Sequence, residues 1–383
     1  MNILVIETDP YGHNLYLYLN SLLKKFTKRN KIYLLTSEVM YSNKNLKNII
    51  KKYKIKVFKK KFPTKPKNYN FYKSIFYQIR YYFFLKKNFK KININFHFDH
   101  IYINNINHFD KAISIFGNPF YNINFSVFYT NLNIFLGDKK YSKKTFLNII
   151  YYYLFIFFLK IKNLKNVFVS NPLLINFLKK KNLTSKIKYV KEYSSLSSKK
   201  FEFEVLKRWS SKKKILVYGR IRIDKDIENL INLLKHDYIK KNAIIIIAGQ
   251  QEDNIINFIK TQSKKYRNIV SINKYINPKL ESYLFRKADF IWVGYKKNFF
   301  GSSAVFFQAA LAYKPVICSD HGLVSWYNKL YNIGLSINLN NSTKIINFVR
   351  NNKKTNKSKF KKINYIHNEK NFINKIYKLI LKK

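Results

Sequence analysis

The sequence is short of cysteine and of acidic residues, and each shortage removes a class of site. Its 383 residues include one cysteine, Cys318, so an intrachain disulfide is ruled out and a reducing compartment is expected. Cys318 lies in an apolar stretch, which favours a packed thiol over a reactive nucleophile. Only 19 residues are acidic, and they are scattered, so nothing supports the paired carboxylates of a glycosidase.

Other signatures are missing as well. Cysteine and histidine form no cluster with zinc spacing, and the sequence contains neither G-x-S-x-G nor G-x-x-x-x-G-K-[ST]. The apolar stretch at the N-terminus is too short for a signal peptide and is soon followed by acidic residues, so no signal peptide is expected. The longest apolar run, Phe146–Leu159, is shorter than the ~20 residues of a membrane-spanning helix. It predicts a buried core helix, with an interfacial membrane anchor as the alternative.

Basic residues, by contrast, are abundant, since 74 lysines and arginines give a formal net charge of +55. One interpretation is a polyanionic partner such as nucleic acid, anionic lipid or a phosphate-rich substrate. The other is compositional, because Lys, Asn, Ile, Phe and Tyr are favoured by AT-rich codons and the lysines are spread over the whole chain. Under either interpretation, we expect the charge to draw the protein toward anionic membrane surfaces.

Strand-like and helix-like segments alternate in two series, which predicts an α/β fold of two doubly wound, mainly parallel sheets. The predicted strands of the first half are Asn2–Ile6, Ile32–Thr36, Lys54–Lys59, Ile101–Asn104, Ser126–Tyr129 and Val167–Ser170. Those of the second half are Ile215–Tyr218, Ala243–Ala248, Ile269–Ile272, Phe290–Val293 and Val316–Ser319. Residues 60–95 resist assignment, because nearly every position is aromatic, Lys or Asn.

A polar stretch, Ser194–Ser198, is interpreted as the linker between the halves. We therefore expect a Rossmann-like domain over residues 1–195 and a second one over residues 196–345, facing each other across a cleft. A basic segment, 346–383, follows and is expected to be helical. A cleft of this kind suits a transferase that brings two substrates together and excludes water.

The most informative segment is Phe299–Leu323, which holds four of the eight alanines and two of the nine glycines. It predicts a glycine turn, a helix of small residues, a proline stop and a buried strand. Gly301, Ser302 and Ser303 stand where the helix begins, so free backbone N–H groups and the positive dipole end favour an anion such as a diphosphate. The alternative is that the serines cap the helix without any ligand.

A second charged stretch, Tyr218–Asp226, follows the first strand of the second half. Gly219 permits a tight turn at the strand's carboxyl end, where open α/β sheets bind ligands. Arg220 and Lys225 would lie at this crevice, and a guanidinium fork with an ammonium could hold a diphosphate and stabilise it as a leaving group. We therefore predict that both are catalytic, the alternative being ordinary surface cations.

The same stretch contains Asp224-Lys225-Asp226, a literal match to a divalent-metal motif. A lysine lies between the two carboxylates, and the stretch leads into a helix, where acidic residues act as caps. We therefore expect no metal site.

At this point the second half resembles the nucleotide-sugar domain of retaining GT-B glycosyltransferases of family 4 (glycosyl transferases group 1). The resemblance extends over about residues 213–338 and is loose before that. The family carries a G-R-x-x-x-x-K-G stretch, which Gly219, Arg220 and Lys225 match, while Asp226 replaces the last glycine. The tail of the family's E-x7-E element is matched at Ala309, Ala312, Pro315, Val316, Ile317, Ser319 and Asp320.

Both glutamates of that element are missing, because Phe300 aligns with the first and Gln308 with the second. In the family the second glutamate holds the ribose hydroxyls, and Gln308 can still donate and accept hydrogen bonds there. The first lies near the transferred sugar, and Phe300 cannot replace it. A branch of the family with G-S-S-G-V in this loop is similar to Gly301–Val305, which favours a variant site over an inactive copy.

Candidates for acceptor binding come from the first half. Gly12 and His13 open the loop after the first strand, which resembles the loop by which this fold meets phosphate and acceptor. His13 is predicted to be catalytic through a hydrogen bond to sugar or acceptor, the alternative being a plain polar residue at a helix start. His108 and Asn131 follow other predicted strands and would face the same crevice. In the second half, His321 is predicted to contact the bound sugar.

The resemblance implies a hexosyltransferase that uses a nucleoside diphosphate sugar as donor, retains the anomeric configuration and needs neither cofactor nor metal. The implied acceptor is a saccharide or a lipid-linked molecule in cell-surface polysaccharide or glycolipid synthesis. The expected location is cytoplasmic, peripheral on the inner face of the membrane. In the family the final helix returns to the first domain, so residues 346–383 are expected to do so.

Two alternative functions stay open. One is a catalytically inactive nucleotide-sugar-binding protein, suggested by the missing glutamates. The other is a basic nucleic-acid-binding protein, suggested by charge alone, although no nucleic acid is expected as a partner because the basic residues are not gathered on one segment.

Overall fold

The structure is a computed structural model that describes residues 1–9, 18–66, 71–129, 146–197, 209–297, 299, 301–351 and 356–381. The chain divides into two compact units. Unit 1 comprises Met1–Glu192 and Glu369–Lys383, and unit 2 comprises Tyr193–Asn368. The division falls beside the expected boundary at residue 195, and of the segment 346–383 only its last part joins unit 1.

In the described part of unit 1, seven parallel strands form one sheet in the order β3-β2-β1-β4-β5-β6-β7. The strands are short and apolar, and most of their side chains are buried, as expected for a parallel sheet covered on both faces. Their bounds are β1 Asn2–Ile6, β2 Lys31–Ser37, β3 Lys56–Lys60, β4 His100–Ile103, β5 Phe125–Tyr129, β6 Leu164–Val169 and β7 Ile187–Tyr189.

Helices connect and cover these strands. Two of them, α3 and α7, begin at asparagine caps whose side chains accept hydrogen bonds from first-turn amides, and α7 also has proline at its first position. The helices are α1 Asn20–Phe26, α2 Glu38–Tyr41, α3 Lys44–Lys52, α4 Phe71–Asn95, α5 Asp110–Phe116, α6 Phe146–Lys160 and α7 Pro172–Lys179.

Unit 2 repeats the same plan. Its described residues form a parallel sheet of six strands in the order β10-β9-β8-β11-β12-β13. The strands are β8 Lys213–Tyr218, β9 Ala243–Ala248, β10 Ile269–Ile272, β11 Phe290–Val293, β12 Val316–Ser319 and β13 Gly334–Ile337. The helices are α8 Ile227–Asn232, α9 Asp237–Asn242, α10 Asp253–Lys265, α11 Pro278–Lys287, α12 Ala304–Leu311, α13 Gly322–Tyr331, α14 Ser342–Asn351 and α15 Lys357–Ile366.

The last helix, α16 (Glu369–Leu381), packs within unit 1 although it follows unit 2 in the sequence. The Phe372 ring stacks on Tyr18 at a centroid distance of 4.7 Å and meets Phe128 edge-on at 5.6 Å. Asn166 of β6 also donates to the Leu379 carbonyl at 3.2 Å. The helix therefore completes the core of unit 1.

The alternation of strands and helices was predicted well, and four second-half strands match the predicted bounds: Ala243–Ala248, Ile269–Ile272, Phe290–Val293 and Val316–Ser319. Cys318 is buried, and burial raises its pKa to about 12, as expected for a packed thiol. The short strands β7 and β13 were missed. β13 has no long apolar run, and it begins at a glycine because a Cβ on Gly334 would lie 2.0 Å from the Val316 carbonyl oxygen.

The prediction of a buried core helix at Phe146–Leu159 was only partly right. Phe155, Phe158 and Leu159 of α6 are buried, but Tyr153 and Phe157 on the opposite side are more than half exposed. Apolar residues on all sides suggested full burial, whereas the fold covers only one side. Among the described residues, no helix combines the length and the apolarity needed to cross a bilayer.

Both sheets reverse their direction of winding at one point, between β1 and β4 in unit 1 and between β8 and β11 in unit 2. At such a switch point the connections leave to opposite sides and open a crevice at the carboxyl ends of the strands, where ligands of doubly wound proteins bind. Functional residues are therefore expected in the loops that follow β1, β4, β8 and β11.

Candidate active site

Two glycines shape the switch point of unit 2. Gly219, directly after β8, has φ +90°, and Gly249, directly after β9, has φ +140°, both in a region that L side chains rarely adopt. A Cβ on Gly249 would lie 1.8 Å from the Gly219 carbonyl oxygen, so no larger residue fits. Gly219 was expected from the sequence to permit a tight turn, and its positive φ agrees with that expectation.

Lys225 lies buried beneath this turn, with 8% of its surface exposed. Its ammonium donates to the Tyr218 carbonyl, and a Cβ on Gly219 would be only 3.4 Å from the Lys225 nitrogen. The Trp292 indole N–H holds the Lys225 carbonyl at 3.2 Å. Burial, followed by the positive charge of Arg222, lowers the pKa of Lys225 to about 7. The Lys225 side chain is thus held against the backbone at the switch point, and its lowered pKa lets it lose its charge near neutral pH.

The two arginines of the loop occupy different environments. Arg220 is 70% exposed at its side chain and forms an ion pair with Glu252 at 3.2 Å. Arg222, which the sequence argument passed over, forks onto Asp224 at 3.0 and 2.7 Å, and its guanidinium carbon lies 5.9 Å from the Phe299 ring centroid. The geometry therefore places Arg222, as well as Arg220, on the loop of Lys225.

The carboxylates of the literal metal motif have separate partners. Asp224 accepts the fork from Arg222, while Asp226 has φ +46° and accepts from the Asn229 amide at 2.9 and 3.1 Å. Across the parts of the chain that the structure describes, no group of three or more His, Cys, Asp and Glu side chains could hold a metal ion. Metal independence itself stays a prediction.

Main-chain contacts join the loops that follow β8, β11 and β12. The Lys296 N–H donates to the Asp224 carbonyl at 2.8 Å, and the Lys296 carbonyl lies 3.0 Å from Nε2 of His321. Nδ1 of His321 is 3.5 Å from Asp320. The structure therefore brings His321 to the same loops as Lys225, and its contact with the sugar stays a prediction.

The helix that was predicted to bind an anion begins at Ala304, with Ser303 as its N-cap residue. The Ser303 side chain does not cap the helix, contrary to the capping alternative, and its hydroxyl oxygen instead accepts from Tyr295 at 3.0 Å. Tyr295 also stacks on Phe299 at 3.8 Å between ring centroids. The Phe306 N–H donates to the Ser303 carbonyl at 3.0 Å, but the Ser303 side chain takes up no first-turn amide of α12, which suits an anion site. Gly301 is buried in this turn, with Ser302 half-buried beside it; Phe300 lies outside the described residues.

Gln308 has a partner that the sequence did not suggest. It is 3% exposed, and its amide nitrogen donates to Oε1 of Glu281 at 2.6 Å. Glu281 lies in the first turn of α11, is half-buried and also hydrogen-bonds the Tyr218 side chain, and burial raises its pKa. A carboxylate therefore stands next to Gln308 at the carboxyl end of β8. In the sequence, Glu281 stands out only as one of few acidic residues, in the first turn of a helix.

Unit 1 has its own polar cluster, at the switch point between β1 and β4. Glu7 is 2% exposed, and Oε1 accepts from the backbone N–H groups of Thr8 and Asp9 at 2.7 and 2.8 Å. Oε2 accepts from the Asn104 amide at 2.7 Å. Even so, burial raises the pKa of Glu7 to about 7. Sequence reasoning missed Glu7, because its position at the end of β1 suggested only a polar strand end.

His108, a predicted acceptor-binding residue, lies in this cluster. Nε2 of His108 is 3.8 Å from a carboxylate oxygen of Asp9, and Nδ1 is 3.1 Å from the Tyr77 hydroxyl. Its ring stacks on Tyr81, whose hydroxyl is 2.5 Å from that of Thr8. Of the other candidates in this half, Gly12, His13 and Asn131 lie outside the described residues.

Comparison with known proteins bears on the fold and the enzyme class. Residues 198–365, which span most of unit 2, match the family described as glycosyl transferases group 1. WaaG, a glycosyltransferase involved in lipopolysaccharide biosynthesis, superposes over 100% of both chains with a TM-score of 0.65 and 12% identity. The chain is a glycosyltransferase of the GT-B fold. The predictions of fold and of enzyme class are thereby confirmed.

Two further structures share the fold of this glycosyltransferase. Anabaena HepE in complex with UDP has a TM-score of 0.67 at 12% identity, covering 99% of each chain. Sucrose-phosphate synthase from Thermosynechococcus elongatus has a TM-score of 0.64 at 12% identity, covering 99% of this chain and 94% of that one. At such identities the likeness concerns the fold alone. No curated protein sequence matches the chain significantly.

The pKa of Glu7 predicts a specific dependence of stability on pH. The raised pKa, about 7 against 4.5, means that the folded state holds a proton that the unfolded state has released between these values. Raising the pH from 5 to 8 should therefore lower the free energy of unfolding, by up to about 3 kcal/mol relative to Glu7→Gln, which cannot ionise. Chemical denaturation of the full chain at both pH values measures this difference.

The exposed Glu38 provides the control, since Glu38→Gln should leave the pH dependence of wild type unchanged. Equal pH dependence in wild type and Glu7→Gln would show that Glu7 ionises normally in the folded protein.

Proposed function

We propose that this glycosyltransferase moves a hexose from a nucleoside diphosphate sugar to a saccharide or lipid-linked acceptor, with retention, as in family 4. The observation that carries the proposal is the switch point of unit 2, where a buried ammonium and the start of α12 lie on adjoining loops. An ammonium and free helix amides are the groups that stabilise a departing diphosphate. HepE, which shares the fold, is described in complex with UDP.

The proposed reaction breaks the bond between the anomeric carbon and the diphosphate oxygen. The acceptor hydroxyl oxygen bonds to the same face of that carbon, and its proton passes to the departing phosphate oxygen. Lys225, Arg220 and the amides at Gly301–Ala304 stabilise the negative charge that develops on the diphosphate. Such a reaction needs neither a metal nor a carboxylate base from the protein, in accord with the partners that already occupy Asp224 and Asp226.

Glu281 and Gln308 are proposed to bind the ribose together. A carboxylate beside an amide offers acceptors and a donor for two neighbouring hydroxyls, and acidic side chains take this role in other doubly wound nucleotide sites. Glu281 would thus supply the carboxylate that the family has at the position of Gln308. His321, on the same group of loops, is proposed to contact the transferred sugar.

The acceptor is proposed to bind at the switch point of unit 1, where His108, Asp9 and Glu7 converge. The predicted contributions of Gly12, His13 and Asn131 belong to the same proposal. Cell-surface polysaccharide or glycolipid synthesis is the proposed process, with the enzyme at the inner face of the cytoplasmic membrane.

One alternative has a specific observation behind it. The chain has Phe300 and Gln308 where the family has two glutamates, as expected of a protein that binds a nucleotide sugar without transferring it. Turnover decides between the two functions.

The test is a thermal-shift screen of the full chain against UDP-, GDP- and ADP-sugars, followed by assays of donor hydrolysis and transfer. We expect one nucleotide class to stabilise the protein and to be turned over. Arg220→Ala should lower kcat/KM by the equivalent of about 2–4 kcal/mol, the usual effect of losing a charge clamp. The exposed Arg267→Ala is the matched control. Binding without turnover would favour the inactive protein, and stabilisation by no nucleotide would remove the proposal.

The pKa of Lys225 predicts how donor binding responds to pH. With a pKa of about 7, Lys225 is largely neutral at pH 8, and a bound diphosphate favours its charged form. The affinity for the nucleotide sugar should therefore rise as the pH falls from 8 to 6, with proton uptake at pH 8. Calorimetry in buffers of different ionisation enthalpy measures both, and Lys225→Met should abolish the proton uptake. Uptake that persists in Lys225→Met would assign the proton to another group.

The ribose assignment is tested by exchanging the two groups. Glu281→Gln should weaken binding of the ribonucleotide about 10-fold and reduce its preference over the 2′-deoxyribonucleotide, because a charged hydrogen bond is lost. The double variant Glu281→Gln with Gln308→Glu returns a carboxylate to the site and should restore the preference. The exposed Glu369→Gln serves as control. An unchanged preference in Glu281→Gln would exclude a contact with the 2′-hydroxyl.

A further inference from the structure

The outer face of α4 carries an exposed stripe that lacks acidic residues. At 100° per residue, seven exposed side chains fall within an arc of about 80° along the helix. Four are aromatic or aliphatic and three are basic: Tyr72, Phe76, Phe83 and Ile94, and Arg80, Lys87 and Lys90. Tyr72 and Ile94 are 79% and 75% exposed, and the Arg80 guanidinium lies 5.9 Å from the Phe76 ring centroid.

The stripe continues across α5 and α6. α5 packs against both α4 and α6, so the three helices belong to one layer of unit 1. Phe116, exposed at the end of α5, lies 5.1 Å from Phe83 between ring centroids. On α6, the exposed apolar residues Ile149, Tyr153 and Phe157 are spaced four apart. The Lys160 ammonium lies 6.0 Å from the Phe157 ring centroid. We call the exposed residues of α4, α5 and α6 the apolar–basic face; on α5 and α6 they are Ile115, Phe116, Ile149, Tyr153, Phe157 and Lys160.

This concentration of apolar groups is not a random scatter over the surface. Of the 17 large hydrophobic side chains that are exposed among the described residues, nine belong to the apolar–basic face. Single exposed apolar residues need no explanation, whereas contiguous patches mark interaction sites. The face is therefore expected to be covered by a partner.

Charge indicates which partner fits. The face carries Arg80, Lys87, Lys90 and Lys160 among its aromatic rings. In the described parts of the three helices the only acidic residue is Asp110, which is buried and accepts from Tyr129 at 2.8 Å. A second copy of the chain would bring like charges together, whereas anionic headgroups would complement them. Long basic side chains also keep their charge at the headgroup level while their stems cover apolar surface.

We propose that the apolar–basic face docks unit 1 on the surface of an anionic lipid bilayer, with α4, α5 and α6 lying at the headgroup boundary. Rings of Tyr and Phe would insert at that boundary, and the basic residues would contact the headgroups. The docking rests on unit 1 alone and does not depend on the sugar chemistry of unit 2. It supplies a surface for the membrane attachment proposed above.

The experiment is co-sedimentation of the full chain with vesicles of phosphatidylcholine alone or mixed with phosphatidylglycerol. We expect binding to the mixed vesicles that weakens with salt. The triple variant Arg80→Gln, Lys87→Gln, Lys90→Gln should lower the partition coefficient about 100-fold, since each basic residue at such a surface contributes about fivefold. A control with the same charge loss on unit 2 is Lys235→Gln, Lys240→Gln, Lys260→Gln, all exposed, and it should bind nearly as well as wild type.

A second set of variants tests the apolar part. Phe76→Ser, Tyr153→Ser and Phe157→Ser together should reduce vesicle binding about tenfold or more. Tyr275→Ser with Tyr365→Ser, both on unit 2 and more exposed than these three residues, should not. Circular dichroism and thermal unfolding without ligand check that each variant is folded.

Three results would overturn the proposal: no binding to mixed vesicles, equal losses in the face and control variants, or a dimer in light scattering that only the serine variants of the face dissociate. The thermal shift with nucleotide sugar is read separately. Its failure would count against the proposed function and not against the docking face.

Discussion

The hydrogen bond from the Lys225 ammonium to the Tyr218 carbonyl is the contact on which the candidate site depends. Gly219, which follows Tyr218, has φ +90°, a conformation that L side chains rarely adopt, and its carbonyl leaves room only for glycine at position 249. The Trp292 indole fixes the lysine's own carbonyl and so ties the β8 loop to β11. The lysine side chain is thereby held at the switch point by main chain and packing.

Each unit buries one ionisable side chain at its switch point, and the two side chains are of opposite charge type. Unit 2 buries an ammonium at its switch point, and unit 1 buries the Glu7 carboxyl at the equivalent place, in each case with a pKa of about 7. Desolvation dominates both shifts, because burial disfavours whichever form is charged. Groups that change charge near neutrality are suited to respond to a ligand, since a modest change in the local field moves their protonation.

Sequence reasoning succeeded where the signal is local. A run such as Ala243–Ala248 is apolar throughout, so a buried parallel strand is the natural outcome. It failed where the signal lies in three dimensions. Glu281 meets Gln308 only because α11 and α12 adjoin, which no spacing reveals. Helix α4 was missed because its outward face is nearly as aromatic as its inward face, and this hides the 3.6-residue period.

The position of α16 gives the chain a discontinuous architecture. Tyr18 stacks on Phe372, so residues from the two extremes of the sequence meet in one core, and the whole of unit 2 is threaded between them as an insertion. Both ends of unit 2 are therefore covalently tethered to the same body. During synthesis, unit 1 has to wait for the entire insertion to leave the ribosome before its last helix is available. Until then the Tyr18 and Phe128 rings lack their partner Phe372, whereas the whole of unit 2 has already been synthesised.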